Sequence, residues 1–174
     1  MIYFIRHGET EYNKAFRFQG HLDIPLNETG LQQAQTALEN SKHYSFDKIY
    51  CSPLSRAKQT ANIINSYHNL EIILDDRLKE IYMGSLQGQA FKDLSSEDQK
   101  LAFTKPDYFG GESHEKFCER VVDFFKEIED SNENILIVSH GGIYRALYKY
   151  LNNLDSLEFN LKPLPNAEFI ILKN

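Results

Sequence analysis

Short apolar, β-prone runs alternate with segments of helical periodicity, and this alternation restricts the fold of the chain more than any other sequence feature. Lys48–Cys51 and Ile135–Val138 are two such runs, and a predicted helix follows each of them. Strands that alternate with helices favour βαβ units, in which helices cover both faces of a mostly parallel sheet. We therefore predict an α/β fold, a three-layer α/β/α sandwich with a mostly parallel sheet.

Hydrophobic periodicity and capping residues place the individual elements of this fold. The helix that begins near Asn27 is predicted to bury the face that carries Leu31, Ala34 and Leu38. Ser52 and Pro53 are predicted to be the N-cap and the first residue of the next helix. The predicted strands are Met1–Ile5, Lys48–Cys51, Glu71–Leu74, Ile135–Val138 and Ala167–Leu172.

One segment interrupts the alternation of strands and helices. The chain has 174 residues, a length that fits one domain over residues 1–174. Residues 86–111 place several aromatic side chains among polar ones and end in Gly110-Gly111. We predict that this segment is a small, partly helical cap insertion over one end of the sheet.

The composition argues against several classes of protein. The chain has 19 Lys and Arg residues and 25 Asp and Glu residues, and the net charge of −6 disfavours partners such as nucleic acid or a membrane surface. Cys51 and Cys118 are too few for a disulfide framework or a Cys-rich zinc site. The sequence has neither an apolar run of about 18 residues nor a signal-type N-terminus. We expect a cytoplasmic protein, and its oligomeric state stays open.

Basic side chains and histidines follow several of the predicted strands. Arg6 and His7 end the first strand, Arg56 follows the second, and His140 follows the fourth. Ligands of open α/β sheets bind beyond the carboxyl ends of the strands, so these side chains are expected to meet at one edge. Guanidinium groups bind phosphate oxygens in a forked geometry, and the helix N-termini behind the second and fourth strands would add backbone N–H groups.

This pattern predicts a phosphate site in which two arginines and one protonated histidine balance the charge of a phosphate monoester. The other four histidines lack such neighbours and are predicted to be surface residues: His21, His43, His68 and His114.

Five motifs, in chain order, resemble those of the histidine phosphatase superfamily, the phosphoglycerate mutase-like family, and in particular its branch 1 phosphatases. The resemblance covers nearly the whole chain and implies the phosphoglycerate mutase-like fold. The motifs are Arg6-His7-Gly8-Glu9-Thr10, Ser52-Pro53-Leu54-Ser55-Arg56-Ala57, Leu78-Lys79-Glu80, Gly111-Glu112-Ser113 and Ser139-His140-Gly141-Gly142.

The resemblance also implies roles for individual residues. His7 would be the nucleophile that forms a phosphohistidine, and Glu80 would be the general acid and base. Because side chains would stabilise the transferred charge, neither a metal nor another cofactor is expected. The implied catalytic residues are His7, Glu80, His140, Arg6 and Arg56. The implied substrate-binding residues are Arg6, Asn13, Gln19, Gly20, Arg56, Glu80, His140 and Gly141.

Two carboxylates and six aromatic residues are candidates for supporting roles. Glu9 and Glu112 are expected to orient an arginine or a histidine of the site. The following aromatic residues are candidates for the side of the leaving group, although a core position suits any one of them as well: Phe16, Phe18, Tyr82, Phe91, Tyr108 and Phe109.

The sequence therefore predicts a metal-independent phosphomonoesterase that acts on small phosphorylated metabolites. A cofactor-dependent phosphoglycerate mutase is one alternative, but only 31 residues separate Glu80 from Glu112 and the chain stops soon after the last strand, which suits a phosphatase better. The pair Leu86-Gln87 departs from the aromatic and acidic pair that is frequent in the family's phosphatases. A non-catalytic phosphate-binding module and a zinc hydrolase are further alternatives. The second histidine of a helical zinc motif is missing near His114.

Overall fold

The computed structural model describes residues 1–155 and 164–174, and in this part of the chain five strands form one sheet. Four strands are parallel, and the fifth pairs antiparallel with the first. The strands are Ile2–Arg6 (β1), Lys48–Cys51 (β2), Ile72–Leu74 (β3), Ile135–Ser139 (β4) and Phe169–Lys173 (β5). Their order is β3-β2-β4-β1-β5, which confirms the predicted mostly parallel sheet.

Helices cover both faces of this sheet. The α-helices of the described residues are Glu11–Lys14 (α1), Glu28–Ser41 (α2), Ser55–His68 (α3), Ser96–Thr104 (α4), His114–Ile128 (α5) and Gly141–Leu151 (α6). Phe4 and Ile137 pack with side chains of α5 and α6, whereas Ile5 and Val138 pack with those of α2 and α3. Successive residues of a strand point to opposite faces of the sheet, so each apolar strand contributes side chains to the hydrophobic core on both faces. The predicted three-layer α/β/α architecture is confirmed.

The buried face of α2 agrees with the predicted one at Ala34 and Leu38 but not at Leu31, which is 44% exposed. Asn27 caps the helix by accepting a hydrogen bond from the Gly30 N–H at 2.8 Å. Gly30 is also buried, and Leu31 lies about 100° around the helix from it, at the edge of the buried face.

The segment between the third strand and α5 lies over the carboxyl end of the sheet as short turns and one helix. It contains the 3-10 helices Gly84–Leu86, Phe91–Asp93 and Pro106–Phe109 in addition to α4. The Phe18 N–H donates to the Gln89 carbonyl at 3.0 Å, and the Gly88 N–H donates to the Phe18 carbonyl at 2.8 Å. These bonds join the segment to the loop that follows α1.

Among residues 1–155 and 164–174, no helix is both long and apolar enough to cross a membrane.

Candidate active site

The sheet brings several of the expected side chains to one cavity. His7 follows β1, and its N–H donates to the Ser139 carbonyl at the end of β4, at 2.9 Å. Arg56 lies in the first turn of α3. The cavity has a volume of about 200 Å³. The expected site residues that line it are Arg6, His7, Asn13, Gln19, Gly20, Arg56 and Glu80.

His7 is a buried imidazole with one nitrogen fixed by the backbone. Only 2% of its surface is exposed, and Nδ1 donates to the Gly8 carbonyl at 2.7 Å. Since Nδ1 carries the proton, the lone pair is on Nε2. Burial holds the pKa of His7 well below its usual value, and the charges of Arg56 and Arg6 lower it further. His7 is therefore neutral at pH 7, as a nitrogen nucleophile must be.

Arg56 is a guanidinium enclosed by protein. It is 1% exposed, and it donates to the carbonyl oxygens of Leu22 at 2.8 Å and Gly20 at 2.9 Å. Burial lowers its pKa to about 10, so it still carries a positive charge at neutral pH. Its Nε atom is buried and has no hydrogen-bond partner among the described residues, and the same holds for Nε of Arg6. Buried donors of this kind are expected to have a partner, and an anion in the cavity would provide one.

Arg6 and the end of β1 are held by the C-terminal segment. Arg6 donates to the Leu164 carbonyl at 2.8 Å, and the Ala167 N–H donates to the Arg6 carbonyl at 2.9 Å. The side-chain amide of Asn166 donates to the His7 carbonyl at 2.7 Å. Burial lowers the pKa of Arg6, although the nearby Glu80 opposes that shift.

His140 and Gly141 are not among the cavity-lining residues of the described chain, and Gly142 lines the wall in their place. Their catalytic and binding roles stay predictions. His140 is fully buried, its Nε2 bonds the Ser52 hydroxyl at 2.7 Å, and its ring lies 5.1 Å from that of His7. Gly141 lies behind the Arg6 guanidinium, since a Cβ there would be 3.7 Å from Nε of Arg6.

Burial also bears on the predicted protonated histidine, which stays a prediction for the site with a phosphate monoester bound. Burial holds the pKa of His140 well below its ordinary value, and the charge of Arg56 lowers it further. The positive charge of the site is therefore carried by the arginines, and both histidines are neutral at pH 7. Nδ1 of His140 is a third buried polar atom with no partner among the described residues.

The predicted start of α3, with Ser52 as N-cap and Pro53 as first residue, is wrong by two residues. The helix begins at Ser55, and Asp23 accepts hydrogen bonds from the Ser55 N–H at 2.6 Å and from its hydroxyl at 2.8 Å. A carboxylate therefore occupies the end of this helix that was expected to bind phosphate. The Ser52 hydroxyl bonds His140 at 2.7 Å and also accepts a hydrogen bond from the Leu54 N–H at 3.4 Å.

Glu80 places a carboxylate at the cavity wall. Its Oε1 accepts a hydrogen bond from the Ile81 N–H at 2.9 Å, and its Oε2 accepts one from the Gly142 N–H at 3.1 Å. A Cβ at position 142 would collide with Oε1, so glycine is required there for the carboxylate to approach α6. Glu80 is the one carboxylate among the cavity-lining residues that the structure describes.

Asn13, Gln19 and Gly20 form a neutral part of the wall. Thr10 caps α1, and its N–H donates to Oδ1 of Asn13 at 3.1 Å while its hydroxyl reaches Oε1 of Gln19 at 3.0 Å. The amide oxygens are thus used within the protein, and the amide NH2 groups are the donors that a ligand can bind. Gly20 adopts a φ of +52°, and a Cβ there would collide with Gln87.

The part of the cavity away from His7 is mostly apolar and contains residues that the sequence did not single out. Of the six aromatic candidates only Phe18 lines it, while Phe16 is 79% exposed and Tyr108 68% exposed. Phe103 and Phe117 line it instead. The further charged or titratable residues of the cavity lining are Arg17, His114 and Arg145.

Two of the four histidines that were predicted to be surface residues have site contacts. His114 lines the cavity at the start of α5, and burial lowers its pKa. Nε2 of His21 donates to the Glu80 carbonyl at 2.8 Å. Neither residue carries a sequence signal of this role, because their neighbours are supplied by distant loops. His68 is half-buried and bonds the Ser41 hydroxyl at 2.9 Å, whereas His43 is exposed.

The two supporting carboxylates have different partners. Glu112 pairs with Arg120 through two hydrogen bonds of 2.7 and 2.8 Å, so it does orient an arginine. Glu9 was also expected to orient an arginine or a histidine, but its Oε1 accepts from the side chain of Asn27 at 2.8 Å. Glu9 therefore supports the N-terminus of α2 and not a basic group of the site.

Sequence comparisons agree with this geometry. Residues 2–174 match the family model of the histidine phosphatase superfamily, branch 1. Phosphoglycerate mutase-like protein 4 of Arabidopsis thaliana is 38% identical over 159 residues, which cover 85% of this chain and 69% of that protein. Phosphoserine phosphatase 1 of Hydrogenobacter thermophilus is 33% identical over 97% of this chain and 83% of its own length.

A solved structure supports the same assignment. The mycobacterial glucosyl-3-phosphoglycerate phosphatase superposes with a TM-score of 0.83 at 28% sequence identity, and the match covers 97% of this chain and 87% of that one. The match extends over all five strands and the loops that carry the site, and a phosphoglycerate mutase-like fold is thereby confirmed. The chain belongs to branch 1 of the histidine phosphatase superfamily and is a phosphatase.

Proposed function

We propose that this phosphatase hydrolyses the phosphate monoesters of small metabolites, without a metal ion, through a phosphohistidine on His7. The observation that carries the proposal is the state of His7, a neutral imidazole with its lone pair on Nε2 in a cavity lined by Arg6 and Arg56. A nitrogen nucleophile and two guanidinium groups are the parts that phosphoryl transfer needs when no cation assists it.

In the first step, Nε2 of His7 forms a bond to phosphorus while the bond between phosphorus and the ester oxygen breaks. Glu80, in its protonated form, gives its proton to the departing oxygen, so an alcohol leaves and Glu80 becomes a carboxylate. Arg6 and Arg56 bind the non-bridging oxygens of the phosphoryl group and stabilise their negative charge during the transfer. His140 packs on the His7 ring from the protein interior.

In the second step, water attacks the phosphorus atom of the phosphohistidine. The Glu80 carboxylate takes a proton from this water, the bond between nitrogen and phosphorus breaks, and the electron pair returns to Nε2 of His7. Inorganic phosphate leaves, and Glu80 is protonated again for the next substrate. The same carboxyl group thus acts first as acid and then as base.

The charges of the site favour a mechanism without a metal. A phosphate monoester carries about two negative charges near pH 7, which Arg6 and Arg56 match. A divalent cation near His7 would be repelled by both guanidinium groups. Among residues 1–155 and 164–174, no three His, Cys, Asp or Glu side chains form a cluster able to hold a metal ion.

The dimensions and lining of the cavity favour a small substrate. A volume of about 200 Å³ leaves room for the phosphate and a short leaving group. The lining also includes the ring of Phe103 and the cationic Arg17 and Arg145. A compact alcohol with both apolar and polar parts fits this lining, and the acidic chain remains a poor partner for nucleic acid or a membrane.

Phosphoglycerate mutase activity is the second candidate, since a solved phosphoglycerate mutase from Thermus thermophilus has a TM-score of 0.74 to this chain at 26% identity. A mutase must protect its phosphohistidine from water. Release of inorganic phosphate is therefore compared with isomerisation of phosphoglycerate in the presence of bisphosphoglycerate. We expect phosphate release to be the faster reaction, and faster isomerisation would contradict the proposal.

The phosphohistidine is tested by rapid quenching with a labelled phosphate monoester. We expect label that is acid-labile and stable to alkali, mapped to the peptide that contains His7. The variant His7→Ala should take up no label, whereas the matched control His43→Ala, which changes an exposed histidine, should label as the wild type does. A wild-type enzyme that turns over without labelling, or a labelled His7→Ala variant, would overturn the covalent mechanism.

A further inference from the structure

His21 lies where three parts of the site meet. It directly follows Gly20, which lines the cavity and whose carbonyl receives a hydrogen bond from Arg56 at 2.9 Å. Its own N–H donates to Oε1 of Gln87 at 2.7 Å, and its ring lies 5.2 Å from that of Tyr82. His21 thus connects Gly20, in the cavity wall, with Gln87 and Tyr82 of the segment over the cavity.

The side chain of His21 adds the third connection. Nε2 bonds the backbone carbonyl of Glu80 at 2.8 Å, and because a carbonyl only accepts, Nε2 must carry the hydrogen. The ring is about half-buried, and burial lowers the pKa of His21, so the imidazole is neutral at pH 7. This neutral donor holds the residue whose carboxyl group faces the cavity.

A second donor shares the Glu80 carbonyl. Arg120 reaches the same oxygen at 3.1 Å, and it also binds the Lys79 carbonyl at 2.8 Å and the carboxylate of Glu112. Arg120 therefore maintains the path of this loop when His21 is changed. The hydrogen bond from His21 has a more local effect. It connects Glu80 with the residue that follows Gly20, on the side of the cavity where the phosphate is proposed to bind.

We infer that His21 is a positioning residue that sets the distance between the carboxyl group of Glu80 and the ester oxygen of the bound substrate. The inference rests on the proposed role of Glu80 as general acid. His21 does not line the cavity in the described chain, so it acts through Glu80 and not on the substrate. A general acid contributes a large factor to the rate only while it is within hydrogen-bond reach of the leaving oxygen.

The leaving group provides a test that separates positioning from a general structural role. An alkyl phosphate releases a strongly basic alkoxide and needs the proton, whereas 2,4-dinitrophenyl phosphate releases a stable phenolate and does not. The quantity measured is kcat/KM, because it reports the steps up to release of the alcohol. For His21→Leu, which keeps the volume and removes the donor, we expect kcat/KM for propyl phosphate to fall about 10- to 100-fold.

The same variant should lose less than about threefold with 2,4-dinitrophenyl phosphate, since only the proton transfer is disturbed. His21→Gln offers an amide N–H at nearly the reach of Nε2 and should recover most of the loss. His43→Ala is the matched control at an exposed histidine. Equal losses with both esters, or no loss with propyl phosphate, would overturn the inference.

Failure of the inference is distinguished from failure of the proposed function by Glu80→Gln. If this variant loses activity selectively with propyl phosphate and His21→Leu does not, Glu80 is the acid and His21 does not position it. If Glu80→Gln itself shows no dependence on the leaving group, the proposed acid is wrong, and the inference about His21 fails with it.

Discussion

The two ends of the cavity are built by different means. At the phosphate end, His7 and Arg6 follow the central strand β1, Arg56 begins α3, and backbone groups hold each of them. At the leaving-group end, 3-10 turns and α4 surround a small aromatic cluster in which the rings of Phe18 and Phe103 are 6.1 Å apart. The sheet and α3 therefore position the groups of the proposed chemistry, whereas a local aromatic cluster shapes the space proposed for the alcohol.

The largest effect is expected at the centre of the phosphate end. His7→Ala removes the proposed nucleophile, and we expect kcat/KM for any monoester to fall by at least about a thousandfold. Steady-state release of inorganic phosphate measures this, and circular dichroism checks that the fold is retained. Activity of the variant within tenfold of the wild type would show that His7 is not the nucleophile and that other residues of the cavity catalyse the reaction.

A change in the geometry of one guanidinium tests how rigid the phosphate end is. Arg56→Lys keeps the charge but removes the fork that binds the carbonyls of Leu22 and Gly20. We expect kcat/KM to fall about 100-fold, mainly through kcat, because a donor to the transferred group is lost. The matched variant Arg17→Lys, at an exposed arginine of the other end, should lose less than about fivefold. Equal losses would remove the distinction between the ends.

The buried histidines predict how stability depends on pH. The pKa values of His7 and His140 lie well below normal in the folded protein because of burial and nearby arginines, so at pH below about 6.5 the unfolded chain binds protons that the folded chain does not. The two histidines therefore contribute to the free energy of unfolding at pH 7, and this contribution is lost as the pH falls. The loss is up to about 1.4 kcal/mol per pH unit for each histidine.

Urea unfolding at pH 5, 6 and 7 measures this dependence. The buffers must lack phosphate, because an anion between Arg6 and Arg56 would stabilise the folded protein itself. His7→Ala should have a shallower slope than the wild type. A free energy of unfolding that stays constant or rises as the pH falls from 7 to 5 would contradict the assignment of neutral histidines.

A smaller effect is expected at the leaving-group end. Phe103→Ala removes part of the apolar wall from a side chain that is 39% exposed, which corresponds to roughly 1 kcal/mol or about fivefold in binding. We expect KM for phenyl phosphate to rise by this factor and KM for ethyl phosphate to rise less. An equal loss of kcat for both esters would mean that this wall takes part in the chemistry.

No effect is expected from a chelator. Since Arg6 and Arg56 supply the positive charge in the proposed mechanism, activity in excess EDTA should equal that of the untreated enzyme. Loss of activity that zinc or magnesium restores would show that the phosphate end is incomplete without a metal ion.

The sequence predicted the phosphate end better than the other end, for a physical reason. The strands that carry Arg6 and His140 are continuous apolar runs, and the crossover rule then brings the residues that follow them to one edge. The depth of each side chain could not be predicted in this way. His140 bonds the Ser52 hydroxyl in the interior, and Asp23 from a distant loop bonds the N-terminus of α3, and neither contact can be read from residue spacing.

The leaving-group end depends on contacts that have no period in the sequence. His21 in a loop, Phe103 in α4 and His114 at the start of α5 reach the site because these elements pack together from distant parts of the chain. Residue type and spacing do not encode such packing. The catalytic roles, the cap boundaries at 86–111 and a cytoplasmic location remain predictions.

The bonds from Leu164, Asn166 and Ala167 to Arg6 and His7 have a consequence for synthesis. A ribosome that has reached Asp155 has already made every side chain to which the proposed chemistry assigns a role, yet the residues that hold the end of β1 are still to come. A chain that ended before Leu164 would keep all of these side chains. Arg6 and the backbone of His7 would nevertheless lose the hydrogen bonds that hold them at the end of β1.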